Sequence, residues 1–162
     1  MKFISHRGNI DGKCDKENHP DQIKLCIKQG YDVEIDVWVK NSKFYLGHDE
    51  PQYNIDFIFL WDTPGLWIHC KNIEALQICS LPFYKLNYFS INKDDFAITS
   101  KGSVWLSPTY RKFHKNTICV MPEDKRWIFP KKQLRDFNGI CSDNIYYYKN
   151  YVTNLRHRRG SH

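Results

Sequence analysis

This 162-residue sequence predicts an α/β fold built on parallel strands. Three observations carry that prediction. Short β-like runs recur along the whole chain. The first run is followed by an amphipathic helix and then by another strand, and parallel strands need such crossovers. The pattern holds about eight candidate strands against three or four helices. Eight parallel strands would close as a barrel. A full ring of alternating strands and helices needs ~200 residues or more, so in this chain several helices would have shrunk to loops. The outer wall would then be thin, and exposed apolar surface on it would invite a partner chain, a homodimer being the expected form. The expected organisation is one domain over residues 1–155 and a basic tail over 156–162.

The elements follow in order. KFISH, from Lys2 to His6, reads as the first strand. HPDQIKLCIKQG reads as a helix: Ile23, Cys26 and Ile27 share one face, Pro20 suits the first turn and Gly30 the stop. YDVEIDVWV is the second strand, and KFYLGH another after a turn at Asn41-Ser42. GLWIHCK, NYFSIN, SVWLSP, TICVMP and NGICSD supply the remaining strand candidates. Helices are expected over NIEALQICS, over a short PKKQLRDF and over NIYYYKNYVTNL. Trp38 and Trp105 fall in strands and are expected to pack. Tyr146, Tyr147 and Tyr148 suggest packing or an interface.

Composition narrows the function classes. The net charge is +6, partly from Arg156, Arg158 and Arg159. That balance suits an anionic ligand. There is no arginine-rich helix, zinc-finger spacing or basic-aromatic stripe, so nucleic acid is not the expected partner. No run approaches the ~18 consecutive apolar residues of a membrane span, and MKFISHRGN is not a secretion signal. The six cysteines include no CxxC and are expected to be reduced, mostly buried thiols of a cytoplasmic protein. The final RGSH reads as part of a purification tag.

The chemistry concentrates near the N-terminus. Side chains alternate along a strand, so Glu34 and Asp36 of VEIDV share a face, opposite Val33, Ile35 and Val37. Two adjacent carboxylates repel, and burying them unpaired is costly. A hard cation such as Mg²⁺ or Ca²⁺ resolves both problems. The alternative is a strand whose polar face meets solvent or a lysine. His48, in LGHDE, closes a strand and would sit at a carboxyl end, where parallel sheets build their sites. If the strands ending in His6, Glu34-Asp36 and His48 are parallel neighbours, the four side chains converge as a general acid–base apparatus with a place for a metal. The acidic pairs Asp94-Asp95 and Glu123-Asp124 read as solvated loops.

The series SHRGN, KEN, YDVEIDVWV and FYLGHDEP resembles the glycerophosphodiester phosphodiesterase family. The likeness is specific from Ile4 to Pro51. Beyond that, LWIHCKN aligns with a family strand of pattern Glu-x-Lys, and GICSDN is similar to the last strand, which often ends in Asp. The resemblance implies a compact (β/α)₈ TIM-type barrel with several helices shortened or missing, of the phospholipase C-like phosphodiesterase kind. It implies a hydrolase of lipid metabolism that takes a small phosphodiester. His6 and His48 match the acid–base pair, and Glu34 and Asp36 the metal ligands. Glu17 matches the Glu of a Glu-Asn element near the metal, and Arg7 and Lys71 match phosphate-holding groups. The implied cofactor is a divalent metal, Mg²⁺ or Ca²⁺, with Mn²⁺ possible.

One position departs from the family pattern: His69 stands where a third metal carboxylate is usual. Three readings follow. The metal is held by fewer protein ligands and more water, which is the reading favoured here. Or the site takes a softer metal such as Mn²⁺ or Zn²⁺. Or an imidazolium replaces the metal's charge. The expected reaction is metal-assisted phosphodiester hydrolysis. The alternatives are a catalytically silent barrel that binds a phosphorylated ligand, or a phospholipase D-like lyase on the same barrel.

Overall fold

The computed structural model describes residues 1–91, 95–108 and 113–157. Asp94, Arg158 and Arg159 lie outside the described residues. The strands are β1 (Lys2–His6), β2 (Asp32–Lys40), β3 (Lys43–Leu46), β4 (Tyr53–Ile55), β5 (Leu66–Cys70), β6 (Tyr88–Phe89), β7 (Phe96–Ile98), β8 (Val104–Leu106), β9 (Thr117–Val120) and β10 (Gly139–Ser142). The helices are α1 (Pro20–Lys28), α2 (Phe57–Asp62), α3 (Ile73–Cys79) and α4 (Ile145–His157), with a 3₁₀ turn over Lys131–Asp136. The last helix therefore runs two residues into the segment expected as a tail.

All ten strands join one sheet. β1 lies at its centre, parallel to β10 and to β2, and β2 is parallel to β5. Parallel pairing continues from β5 to β6 on one side, and from β10 through β9 to β8 on the other. Among the described strands, β3, β4 and β7 are the antiparallel ones. Asn41 and Ser42 both take positive φ (50° and 59°), the backbone of a tight hairpin turn, and fold β3 back on β2. β3 is thus not the parallel neighbour that the sequence suggested.

The sheet curls. Trp67 of β5 and Phe89 of β6 reach Trp105 of β8 across its concave face, with ring centroids 5.8 and 4.7 Å apart. Near the far edge, Ser100 N–H donates to Tyr88 O at 2.8 Å. The result is a mixed α/β fold: a sheet curled as a half-barrel, with few helices.

Strand alternation sorts the core into two bodies. On the convex side, Val33, Ile35, Val37, Ile68, Cys70 and Ile140 pack under α1, α3 and α4, against Ile23, Cys26, Ala75, Cys79, Ile145 and Val152. Inside the curl, Ile4, Trp67, Phe89, Trp105, Ile118 and Cys141 form a second body. Five cysteines are buried free thiols and Cys14 is exposed, as expected. Tyr148 is buried whereas Tyr146 and Tyr147 are exposed. Ile58, Trp61, Phe83, Ile98 and Ile128 leave apolar surface open. No helix among the described residues is long and apolar enough to cross a membrane.

Candidate active site

Each central strand turns one side chain into the apolar layer of the curl and another, two residues on, into a polar layer above it. Ile4 is followed by His6, Trp67 by His69, and Cys141 by Asp143. In β2 the inward positions are Glu34 and Asp36. Register then assembles the site: His6 pairs with Glu34, and Asp36 with His69. The carboxyl ends of β10, β1, β2 and β5 therefore deliver Asp143, His6, Glu34, Asp36, His69 and, one turn of alternation further, Lys71.

The loop after β1 completes this layer. Arg7 adopts a left-handed backbone (φ 53°), which costs a non-glycine residue about 1–2 kcal/mol. Its N–H is held by Glu34 O at 2.9 Å. Gly8 follows at φ 89° and lets the chain turn against Gln22. Arg7 Nη1 lies 3.2 Å from Glu17 Oε2, and Arg7 Nε 3.2 Å from Asp36 Oδ2. The second contact is an ion pair without hydrogen-bond alignment, so Arg7 Nε is a buried donor lacking a hydrogen-bond partner.

Asp36 is the most heavily engaged carboxylate. Besides Arg7, it meets Lys71 Nζ at 3.3 Å and His69 Nδ1 at 3.0 Å. Asn18 Nδ2 donates to Asp36 Oδ2 at 3.0 Å, while Asp36 N–H donates to Asn18 Oδ1 at 2.9 Å. Burial pushes the Asp36 carboxyl up, but the His69 hydrogen bond and the charges of His69, Lys71 and Arg7 outweigh it and hold it well below the usual carboxylate range. Glu34 is different. Its closest polar neighbours are the Arg7 N–H at 3.3 Å, His69 Nδ1 at 3.8 Å and His6 Nε2 at 3.9 Å. Burial, and then the charge of Asp36, push it up.

His6 is held by a carboxylate behind it: its Nδ1 lies 2.7 Å from Asp143 Oδ1. Burial pulls the imidazole down, but the Asp143 hydrogen bond and then the Glu34 charge outweigh it and hold it above its ordinary value. Asp143 is itself fixed. Asn9 Nδ2 donates to its Oδ1 at 2.8 Å, and its N–H donates to Glu123 Oε1 at 3.0 Å. Glu123 also accepts from Ser142 Oγ at 2.8 Å. Glu123 is thus a support of the site and not the solvated loop residue expected; Asp124 pairs outward with Arg126.

His48 arrives by another route. The β2–β3 hairpin returns the chain to the level of Asp36, where Gly47 N–H donates to Asp36 O at 3.2 Å and Trp38 Nε1 donates to Gly47 O at 2.7 Å. A side chain at position 47 would collide with the Glu50 carbonyl oxygen. His48 stands at the rim, its side chain 39% exposed, with Nδ1 2.7 Å from Asp49 Oδ1. Burial, and then the charge of Arg7, lower its pKa. It shares a cleft of about 260 Å³ with Arg7, Glu17, Asn18, Gln52 and Tyr53. A second cleft of about 410 Å³ opens over His69, Lys71, Asn72, Leu76 and Ser90.

The structure therefore brings His6, Arg7, Glu34, Asp36, His69 and Lys71 into one layer and sets His48 at its edge. Glu34, Asp36 and His69 present ligand atoms within 4.8 Å of one another, a group that could hold a metal ion. Glu17 is not in that group; it binds Arg7 and the Asn9 amide, the latter at 2.7 Å. Asn9, Asn18 and Asp143 were given no role from sequence, and Glu123 was read only as one of a solvated loop pair. Asn18 sits beside Glu17 in KEN, and Asp143 ends the GICSD strand, so each had a signal. A scan of protein-family models finds none that matches this chain, and a search of curated proteins finds no match.

Proposed function

We propose that this protein is a metal-assisted phosphodiesterase similar to the glycerophosphodiester phosphodiesterases, on a pared-down (β/α)₈ barrel. One observation carries the reading. An imidazole oriented by a carboxylate, His6 on Asp143, faces a buried carboxylate pair flanked by Arg7 and Lys71. Hydrolysis of an anionic ester needs all three parts: a proton carrier, a cation site and positive charge for the phosphate.

The donor set fits a divalent cation. Glu34 is buried, short of strong partners and repelled by Asp36, so a cation there relieves an unfavourable burial. Glu34, Asp36 and His69 would hold it, and when bound it supplies charge neutralisation at a phosphate oxygen. Arg7 borders the cleft at His48 and Lys71 the cleft over His69, so their charges flank a phosphate from two sides.

The two histidines divide the proton work. His48 is held toward the neutral form beside Arg7, which suits a base. His6 is held toward the protonated form, which suits an acid. Its largest raising influence is the Asp143 hydrogen bond, which does not depend on the charge of Glu34. His48 takes the proton from the attacking hydroxyl as the new P–O bond forms. The leaving P–O bond breaks and His6 protonates the departing alkoxide. The attacking hydroxyl is water or a neighbouring hydroxyl of the substrate; the latter gives a cyclic phosphate first.

Phosphorus NMR with a glycerophosphodiester tests this. A monoester or cyclic phosphate signal that needs Mg²⁺, Ca²⁺ or Mn²⁺ and vanishes with chelator is the expected result. Absence of turnover with every metal counts against the reading. A second reading rests on the saturation of Asp36 by Arg7, Lys71 and His69. These cations can neutralise the site without a metal, leaving a silent anion pocket. It predicts phosphodiester binding, seen as line broadening, with no product.

A further inference from the structure

We infer that His69 is a direct ligand of the cation, through Nδ1, and that its imidazole biases the site toward first-row transition metals and away from Mg²⁺ and Ca²⁺. This rests on the reading of Glu34 and Asp36 as cation ligands given above.

The ladder places His69 directly beside Asp36 on the neighbouring parallel strand. The ring's Nδ1 is 3.0 Å from Asp36 Oδ1 and 3.8 Å from Glu34 Oε1. Its other nitrogen, Nε2, faces Ile91 O at 3.4 Å. A carbonyl oxygen only accepts, so Nε2 carries the hydrogen in that contact. Nδ1 faces carboxylates, which also only accept, so without a cation it donates to Asp36; a cation between Glu34 and Asp36 would displace that hydrogen and take the Nδ1 lone pair. The ring plane is fixed by Phe89, which lies parallel to it (3° between planes, centroids 5.1 Å apart). A donor nitrogen toward the acids, the other N–H on a backbone carbonyl and a locked ring plane are the features that orient metal-binding histidines.

The choice of metal follows from the donor atoms. Mg²⁺ and Ca²⁺ seek oxygen ligands throughout, whereas imidazole adds affinity for first-row divalent metals, in a series that rises from Mn²⁺ to Cu²⁺ and drops at Zn²⁺. A carboxylate at this place would make an all-oxygen set; His69 converts it to two carboxylates and one nitrogen. Of the three readings from sequence, this inference takes up the second, a site suited to a softer metal, rather than the one with fewer protein ligands and more water.

The experiment is pulsed electron spin-echo modulation on the full chain carrying ¹⁵N-histidine, with Mn²⁺ alone as probe, followed by Mg²⁺ competition. The expected result is one bound Mn²⁺ coupled to a histidine nitrogen. The coupling survives in His6→Ala and is lost in His69→Asp. In His69→Asp the Mn²⁺-over-Mg²⁺ preference falls by about tenfold or more. If His69→Asp does not fold, His69→Gln takes its place, because coupling that survives in His6→Ala could otherwise come from His48. Mn²⁺ bound without nitrogen coupling, or coupling lost in His6→Ala, overturns this inference and leaves Glu34 and Asp36 as a cation site. No bound Mn²⁺ overturns the inference and the cation reading together; turnover that persists in chelator would locate that failure in the metal and not in the phosphodiesterase activity.

Discussion

Strands β1, β2, β5 and β10 and strands β6, β8 and β9 line the same concave surface but fill it differently. The first set carries an ionisable residue toward the interior near each carboxyl end: His6, Glu34 with Asp36, His69, Asp143. The second set offers Phe89, Trp105, Ile118 and Val120. The first set is also the one covered by α1, α3 and α4, whose apolar faces clamp its convex side. Rigid backing is what lets a sheet hold buried charges at fixed distances. The second set has less helix behind it and spends its inward positions on stacking. One half of the curl therefore holds the buried charges and the other closes the floor beneath them.

Breaking the floor should have the largest effect. Trp105→Ala removes the ring that meets both Trp67 and Phe89. We expect a loss of ~3–5 kcal/mol in denaturant unfolding. Breaking the charged half at Asp36 should cost a similar or slightly smaller amount. Asp36→Asn strands Arg7, Lys71 and His69, and removing one partner of a buried pair typically costs ~3–5 kcal/mol. The sign with pH is fixed by the depressed folded value of Asp36. Its contribution is present above the unfolded carboxylate pKa and is lost as pH falls through the folded one, so wild type and variant converge in acid.

Glu34→Gln should move the other way. The folded pKa of Glu34 is raised, so its ionisation disfavours the fold as pH rises through that value. In metal-free protein the variant should gain ~1 kcal/mol or less near neutrality, the size of a relieved like-charge contact in a sheet. The gain should vanish below the unfolded carboxylate pKa, and a loss at neutral pH would contradict the account. The smallest effect is a labelling pattern. Among the six cysteines, Cys14 is exposed and the rest are buried, so a thiol reagent should modify one site in native protein and the others only on unfolding.

The charged half was the more legible in sequence, for a physical reason. Period-two spacing puts Glu34 and Asp36 on one face whatever the fold, and the parallel ladder then needed only the right neighbours. Helix α1 was readable from its apolar face and its Pro20 and Gly30 boundaries. Strands β4 and β7, three residues each, and the six-residue α2 were not read at all. Elements this short show no period, and β6 and β8, equally short, were found only through the longer runs NYFSIN and SVWLSP. The orientation of β3 was misread although its two-residue turn already implies a hairpin. The return of the hairpin nonetheless brings His48 to the rim. Asp143 and Glu123 were missed as partners because their contacts are set by tertiary pairing: Asp143 and His6 are 137 residues apart.

The central claim is that the charged half works through its two histidines. Steady-state turnover of a glycerophosphodiester by His6→Ala and His48→Ala, each checked for a native unfolding midpoint, tests it most directly. Proton transfer by a positioned side chain contributes ~10²- to 10⁴-fold, so the account predicts a loss of that size in each variant. A loss below about threefold in both, outside that range altogether, would contradict it.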